Sequence, residues 1–145
     1  MPELDFMVVA DYVRAEGGVL HMIAAGFDTM YAASVPVMRQ IGVGMRLTMT
    51  TTELVYEHDV ELVFQDADGK RISQVHGTIN PQPSAQAPPL GRPLGIAMAF
   101  NLVVPVPAYG DYSLELLIDH SHKKTIPIVV TQPPAAPPPA LPADA

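Results

Sequence analysis

The chain has 145 residues, 16 prolines, no cysteine and a formal net charge of −7. That length suits one compact domain whose core stands without disulfide staples, and the missing cysteine excludes disulfide frameworks, thiolate metal sites and cysteine nucleophiles. The acidic balance, with its bases scattered apart from Lys70-Arg71 and Lys123-Lys124, disfavours nucleic acid and anionic membranes as partners.

The opening residues MPELDF carry acids where a secretory leader needs bases, and no run reaches the roughly 18 apolar residues of a membrane span. The expectation is a cytoplasmic protein with no membrane partner. Phe6 to Arg14 reads as a first strand with apolar residues on both faces, which suits a central position. Ala15-Glu16-Gly17-Gly18 is a turn, and Val19 to Phe27 returns as a second strand in an antiparallel hairpin. Asp28 to Pro36 reads as an extended connection, because the residue before a proline avoids the helical region.

Arg39 to Thr50 alternates, with Ile41, Val43, Met45, Leu47 and Met49 on the core face. Gly42 and Gly44 fall on the other face and predict a bend or the close approach of another backbone. Tyr56 to Gly77 reads as a hairpin turning at Asp66-Ala67-Asp68-Gly69. Tyr56, His58, Val60, Leu62 and Phe64 face inward. A three-residue loop, Ala67 to Gly69, with a bulge at Gly69 predicts Phe64 opposite Ile72 and Val60 opposite His76.

Asn80 to Pro93 is dense in Pro, Gln and Ala and reads as a long flexible loop. Leu94 to Val104 is a sixth strand with Ile96, Met98, Phe100, Leu102 and Val104 inward, and Asp111 to Asp119 a seventh that buries Tyr112, Leu114, Leu116 and Ile118. A tip at His120 to Lys124 leads into an eighth strand, Thr125 to Thr131, where Pro127 marks an edge or a start. From Gln132 the chain is a Pro/Ala-rich tail, expected to be disordered. The domain organisation is thus a β-domain over 1–131 and a tail over 132–145. Eight short strands without a helix predict an all-β fold, an antiparallel β-sandwich of immunoglobulin-like type.

The stretches MVVADY, GGVLHMIAAGFDTM, EHDVELVFQDADGK and YGDYSLELLID together resemble a family of small bacterial proteins, mostly actinobacterial, over roughly residues 5 to 130. YGDYSLELLID also resembles the G-x-Y-x-hydrophobic strand of many immunoglobulin-like sandwiches. The resemblance implies a sandwich and brings no activity with it.

Candidate chemistry is sparse. Asp66 and Asp68 stand at alternate positions before Gly69, as in the start of a calcium loop, but no bidentate Glu follows at the required spacing, so a plain turn is the better reading. His120 and His122 have the i, i+2 spacing of a zinc pair, yet Lys123 and Lys124 would repel a cation. His58 and His76 fall diagonally on one face in the expected register, with Tyr56 or Thr78 as partners. Asp11 sits on an apolar strand and is expected near a strand end, taking backbone N–H bonds. No G-x-S-x-G elbow, phosphate loop or stacking surface is present.

The expected function is therefore a non-enzymatic module for protein–protein interaction or self-association, with no cofactor and no metal. Its partner is another protein or a second copy, met through Val19, Ile23 and Phe27 with Met7, Val9 and Val13. Two alternatives stand beside it. One is a metal-dependent enzyme using Asp11, His58 and His76 near the 80–93 loop. The other is a carrier of a small apolar molecule held near Met22, Met45, Met49 and Met98.

Overall fold

A computed structural model of the chain describes residues 2–81 and 92–135. The expected loop over 80–93 and the tail from 132 fall largely outside the described residues. The strands are β1 (Glu3–Ala10), β2 (Tyr12–Glu16), β3 (Val19–Ile23), β4 (Thr29–Tyr31), β5 (Val37–Met49), β6 (His58–Asp66), β7 (Arg71–Ile79), β8 (Leu94–Val106), β9 (Gly110–Ile118) and β10 (Ser121–Thr131). One turn of 3-10 helix, Glu53–Val55, precedes β6.

Two sheets face each other. One has the order β1-β5-β8 and the other β4-β10-β9-β6-β7; every pairing is antiparallel except the short one between β4 and β10. The period-2 pattern explains the packing: Ile41, Val43, Met45 and Leu47 of β5 meet Leu62 and Phe64 of β6 and Leu114 and Leu116 of β9, all fully buried. Phe64 and Tyr112 stack with ring centroids 5.2 Å apart. The Tyr112 hydroxyl donates to the Ala108 carbonyl at 2.6 Å, the tyrosine corner of immunoglobulin-like sandwiches. The fold is an all-β antiparallel sandwich.

β2 and β3 form a separate hairpin that lies over the outer face of the three-stranded sheet. Here the glycines of β5 matter. A Cβ at Gly42 would lie 3.0 Å from the Tyr12 backbone, and one at Gly44 would lie 3.1 Å from Val13 and Met22. The close approach read from those glycines is present, and the approaching backbone is this hairpin. Asn101 of β8 fastens it, accepting from the Val13 N–H at 3.1 Å and donating to the Val13 carbonyl at 2.8 Å.

Several expectations need correcting. The first strand breaks at Asp11 into β1 and β2, and β1 is an edge strand held to β5 rather than a central one. The 66–70 turn has its three-residue loop, and Gln65 faces Arg71 as expected. Gly69 takes the left-handed conformation expected of it, but a further extra residue sits at Ile72, so Phe64 faces Ser73 and Val60 faces Gly77. That slip of one residue turns His76 to the outer face opposite Glu61. Tyr56 lies before β6 and is exposed instead of inward. The last hairpin turns on Asp119 and His120, both at positive φ, so His122 to Lys124 belong to β10. Pro127 sits two residues before Val129, where β10 acquires β4 as its second neighbour. Its missing N–H is tolerated there.

Candidate functional site

His58 is the one buried polar or charged residue among those described, at 7% exposure. It begins β6, where the inward phase of the strand points its ring at the end of the sandwich. The Nδ1 lies 2.7 Å from Asp119 Oδ2 in the β9–β10 turn, and the Nε2 lies 2.7 Å from the Glu53 carbonyl in the 3-10 turn. The Glu53 carbonyl can only accept, as does the Asp119 carboxylate when ionised, so the doubly protonated ring is the form that satisfies both. Burial works against that charge, but the Asp119 carboxylate and the Glu53 carbonyl outweigh it and raise the His58 pKa above its ordinary value. Burial likewise opposes the charge on Asp119, while His58 and the Asp59 N–H on Oδ1 (2.9 Å) lower its pKa.

Chemically this is a clasp. It ties β6, the 3-10 turn and the β9–β10 turn at one end of the sheet. In the doubly protonated form both nitrogens donate, and that form has no lone pair to take a proton from a substrate or to bind a metal. Neither Tyr56 nor Thr78, the expected partners, is part of it. Asp119 and Glu53 lie 61 and five residues away, and no spacing rule in the sequence joins all three.

The residues of the enzyme alternative do not converge. His76 is half-exposed on the outer face, 3.9 Å from Asp59 Oδ1, and His120 approaches Asp59 Oδ2 at 3.7 Å. Asp11 is exposed, and its backbone, rather than its carboxylate, is engaged: its N–H donates to the Ile23 carbonyl at 2.9 Å and its carbonyl accepts from Gln40. It lines a surface cleft of about 240 Å³ with Phe27, Tyr31, Arg39 and Gln40. Asp66 Oδ1 accepts from the N–H groups of Asp68 and Lys70 at 3.0 and 2.9 Å, which spends it on its own turn. His122 bonds Thr125 at 2.6 Å. Among the described residues no group of three or more His, Asp or Glu is placed to hold a metal ion.

The apolar rows divide differently from the expectation. Met7 and Val9 are core residues, because the Met7/Val9 face of β1 is the one turned toward the facing sheet. Val13 is buried beneath the hairpin against Gly42 and Gly44. Phe27 is half-buried against the core. Val19 and Ile23 remain outside, at 55% and 62% exposure. Tyr12, the cross-strand neighbour of Ile23, is exposed beside it, while Arg14 and His21 lie between that pair and Val19. Met38 and Val103, on the outer face of β5 and β8, are each 60% exposed. Met45 and Met49 are packed in the core and Met22 rests on Gly44.

A family model described as a family of unknown function (DUF6941) matches residues 5–131, and the chain belongs to that family. No curated protein matches. Among solved structures, the C-terminal domain of wzt is similar, with 11% identity, a TM-score of 0.48, and coverage of 91% of this chain and 74% of that one. No helix among the described residues is long and apolar enough to cross a membrane.

Proposed function

We propose that this DUF6941 member is a non-enzymatic β-sandwich module that works by binding protein. The observation that carries the reading is the exposed apolar pair Tyr12 and Ile23 on the outward face of the hairpin, with Val19 exposed at its tip beyond Arg14 and His21, and with Met38 and Val103 exposed on the outer face of β5 and β8. Removing such a surface from water is favourable by about 25 cal/mol per Å², and exposed apolar patches on soluble domains mark interaction sites. The polar side supports the same reading. His58 is bonded through both nitrogens, and Asp11 and His76 stand on separate surfaces without a shared partner.

The test compares partner capture from native cell extract by the wild type, by Ile23→Lys with Val19→Lys, and by Lys123→Ala as a control. A protein retained by the wild type and the control, and lost with the hairpin variant, supports the reading. Identical capture by all three folded proteins removes the hairpin face from the function.

A further inference from the structure

We infer that β8 is a self-association edge, and that its N-terminal half pairs antiparallel with the same segment of a second copy of this chain. The inference rests on the interaction-module reading and names the partner.

Among the described residues four strands end the two sheets: β1, β4, β7 and β8. Unpaired strand edges are templates for another chain, and proteins blunt them with charge, brevity or cover. Three of the four are blunted in this way. β1 carries Glu3 and Asp5, and its Val9 carbonyl accepts from the Gly26 N–H. β4 has three residues, and β7 carries Arg71 and His76. β8 is thirteen residues long and contains no Asp, Glu, Lys, Arg or His.

Burial along β8 shows where cover by the described residues is missing. Val43, Met45, Leu47 and Met49 of β5 are buried, yet their partners Phe100, Met98, Ile96 and Leu94 on β8 are only half-buried. Farther along, Leu102, Val104 and Val106 are buried again. The deficit therefore lies on the side of 94–100 away from β5. At one point the gap narrows, because the Phe100 ring reaches 3.0 Å from where a Gly77 Cβ would stand.

A strand that fits must be apolar toward the core and small toward the outside, where Gly95, Ala97 and Ala99 lie under or beside Arg46. The segment 94–100 of a second copy has that character, and antiparallel pairing about a two-fold axis makes it its own complement. Charge points the same way. Two chains of net charge −7 repel, and β8 is the long edge at which they meet without opposing like charges. Arg46, the charge nearest its outer row, is paired with Asp5.

The test uses the full chain. Light scattering at high micromolar concentration is expected to give twice the 15.6 kDa of one chain. Because the chain has no cysteine, Ala97→Cys near the two-fold is expected to form an intermolecular disulfide on mild oxidation, since directly opposed strand residues come within its reach. Ile96→Lys, which places a charge on the inward row, is expected to give a monomer with an unchanged circular-dichroism spectrum. If that variant fails to fold, the Ala97→Cys crosslink still decides. A wild-type monomer overturns the inference and leaves the hairpin-face test standing. A dimer that crosslinks through Ile23→Cys but not through Ala97→Cys also overturns it, and moves self-association to the hairpin.

Discussion

Replacing His58 with alanine removes a buried cation and leaves the Asp119 carboxylate and the Glu53 carbonyl facing a void. Breaking a buried ion pair from one side costs about 3–5 kcal/mol. Asp119 keeps 31% of its side chain in water, so re-solvation places the expected loss at the lower end, about 3 kcal/mol. For a domain of this size that corresponds to a fall in Tm of about 10 °C. The pH dependence follows from the two shifts. A His58 pKa raised above 6.5 contributes stability that is complete below 6.5 and fades as pH rises through the folded value. An Asp119 pKa lowered below 3.8 contributes stability that is complete above 3.8 and fades as pH falls through the folded value. The gap between wild type and His58→Ala is therefore widest between those limits and narrows toward alkaline pH. Urea unfolding at several pH values, followed by circular dichroism, measures it. A gap that widens from pH 5.5 to 9, or one below about 1 kcal/mol at pH 5.5, refutes the doubly protonated clasp.

Asn101→Leu removes both bonds to Val13 and should cost about 1–3 kcal/mol, with amide exchange rising in β2 and β3 while β6 and β9 stay protected. Gly44→Val forces carbon into the space of Val13, Met22 and Leu20; the expected destabilisation is about 1–3 kcal/mol, read as a lower urea midpoint with increased hairpin mobility by NMR. Tyr112→Phe deletes the hydroxyl that bonds Ala108, for an expected loss of about 1 kcal/mol with the Phe64 stack retained. A midpoint equal to wild type would show that the corner adds nothing here.

The core face of β5, β6 and β9 was legible in the residues, since the apolar rows from Ile41 to Met49, Val60 to Phe64 and Tyr112 to Ile118 recur at every second position and lie in the core, with Val63 and Leu117 as apolar exceptions on the other face. Gly42 and Gly44 announced a close neighbour as well. What escaped were features set by single residues or by distant partners. The extra residue at Ile72 reversed which side of β7 His76 faces, because a pleated strand exchanges faces at every step. The break at Asp11 was hidden because the residues on both sides of it, Phe6 to Ala10 and Tyr12 to Val13, are apolar, although only Met7 and Val9 of these reach the main core. Asn101 interrupts an apolar strand, and that interruption was the available sign of a polar anchor. His58 was visible as a polar residue on a core face, but its partner Asp119 reads in sequence as an ordinary turn residue. The match at the 66–70 turn, by contrast, was local chemistry, with Asp66 binding the backbone of Asp68 and Lys70.

The tip of the β2–β3 hairpin has a practical use. Gly17 and Gly18 sit at positive φ with no atom within 4 Å of where a side chain would begin, and the hairpin is anchored from its far end by Asn101. Foreign sequence spliced between these two glycines would protrude from the domain without disturbing the sandwich below, making the tip a natural port for an epitope, a fluorophore or a capture tag.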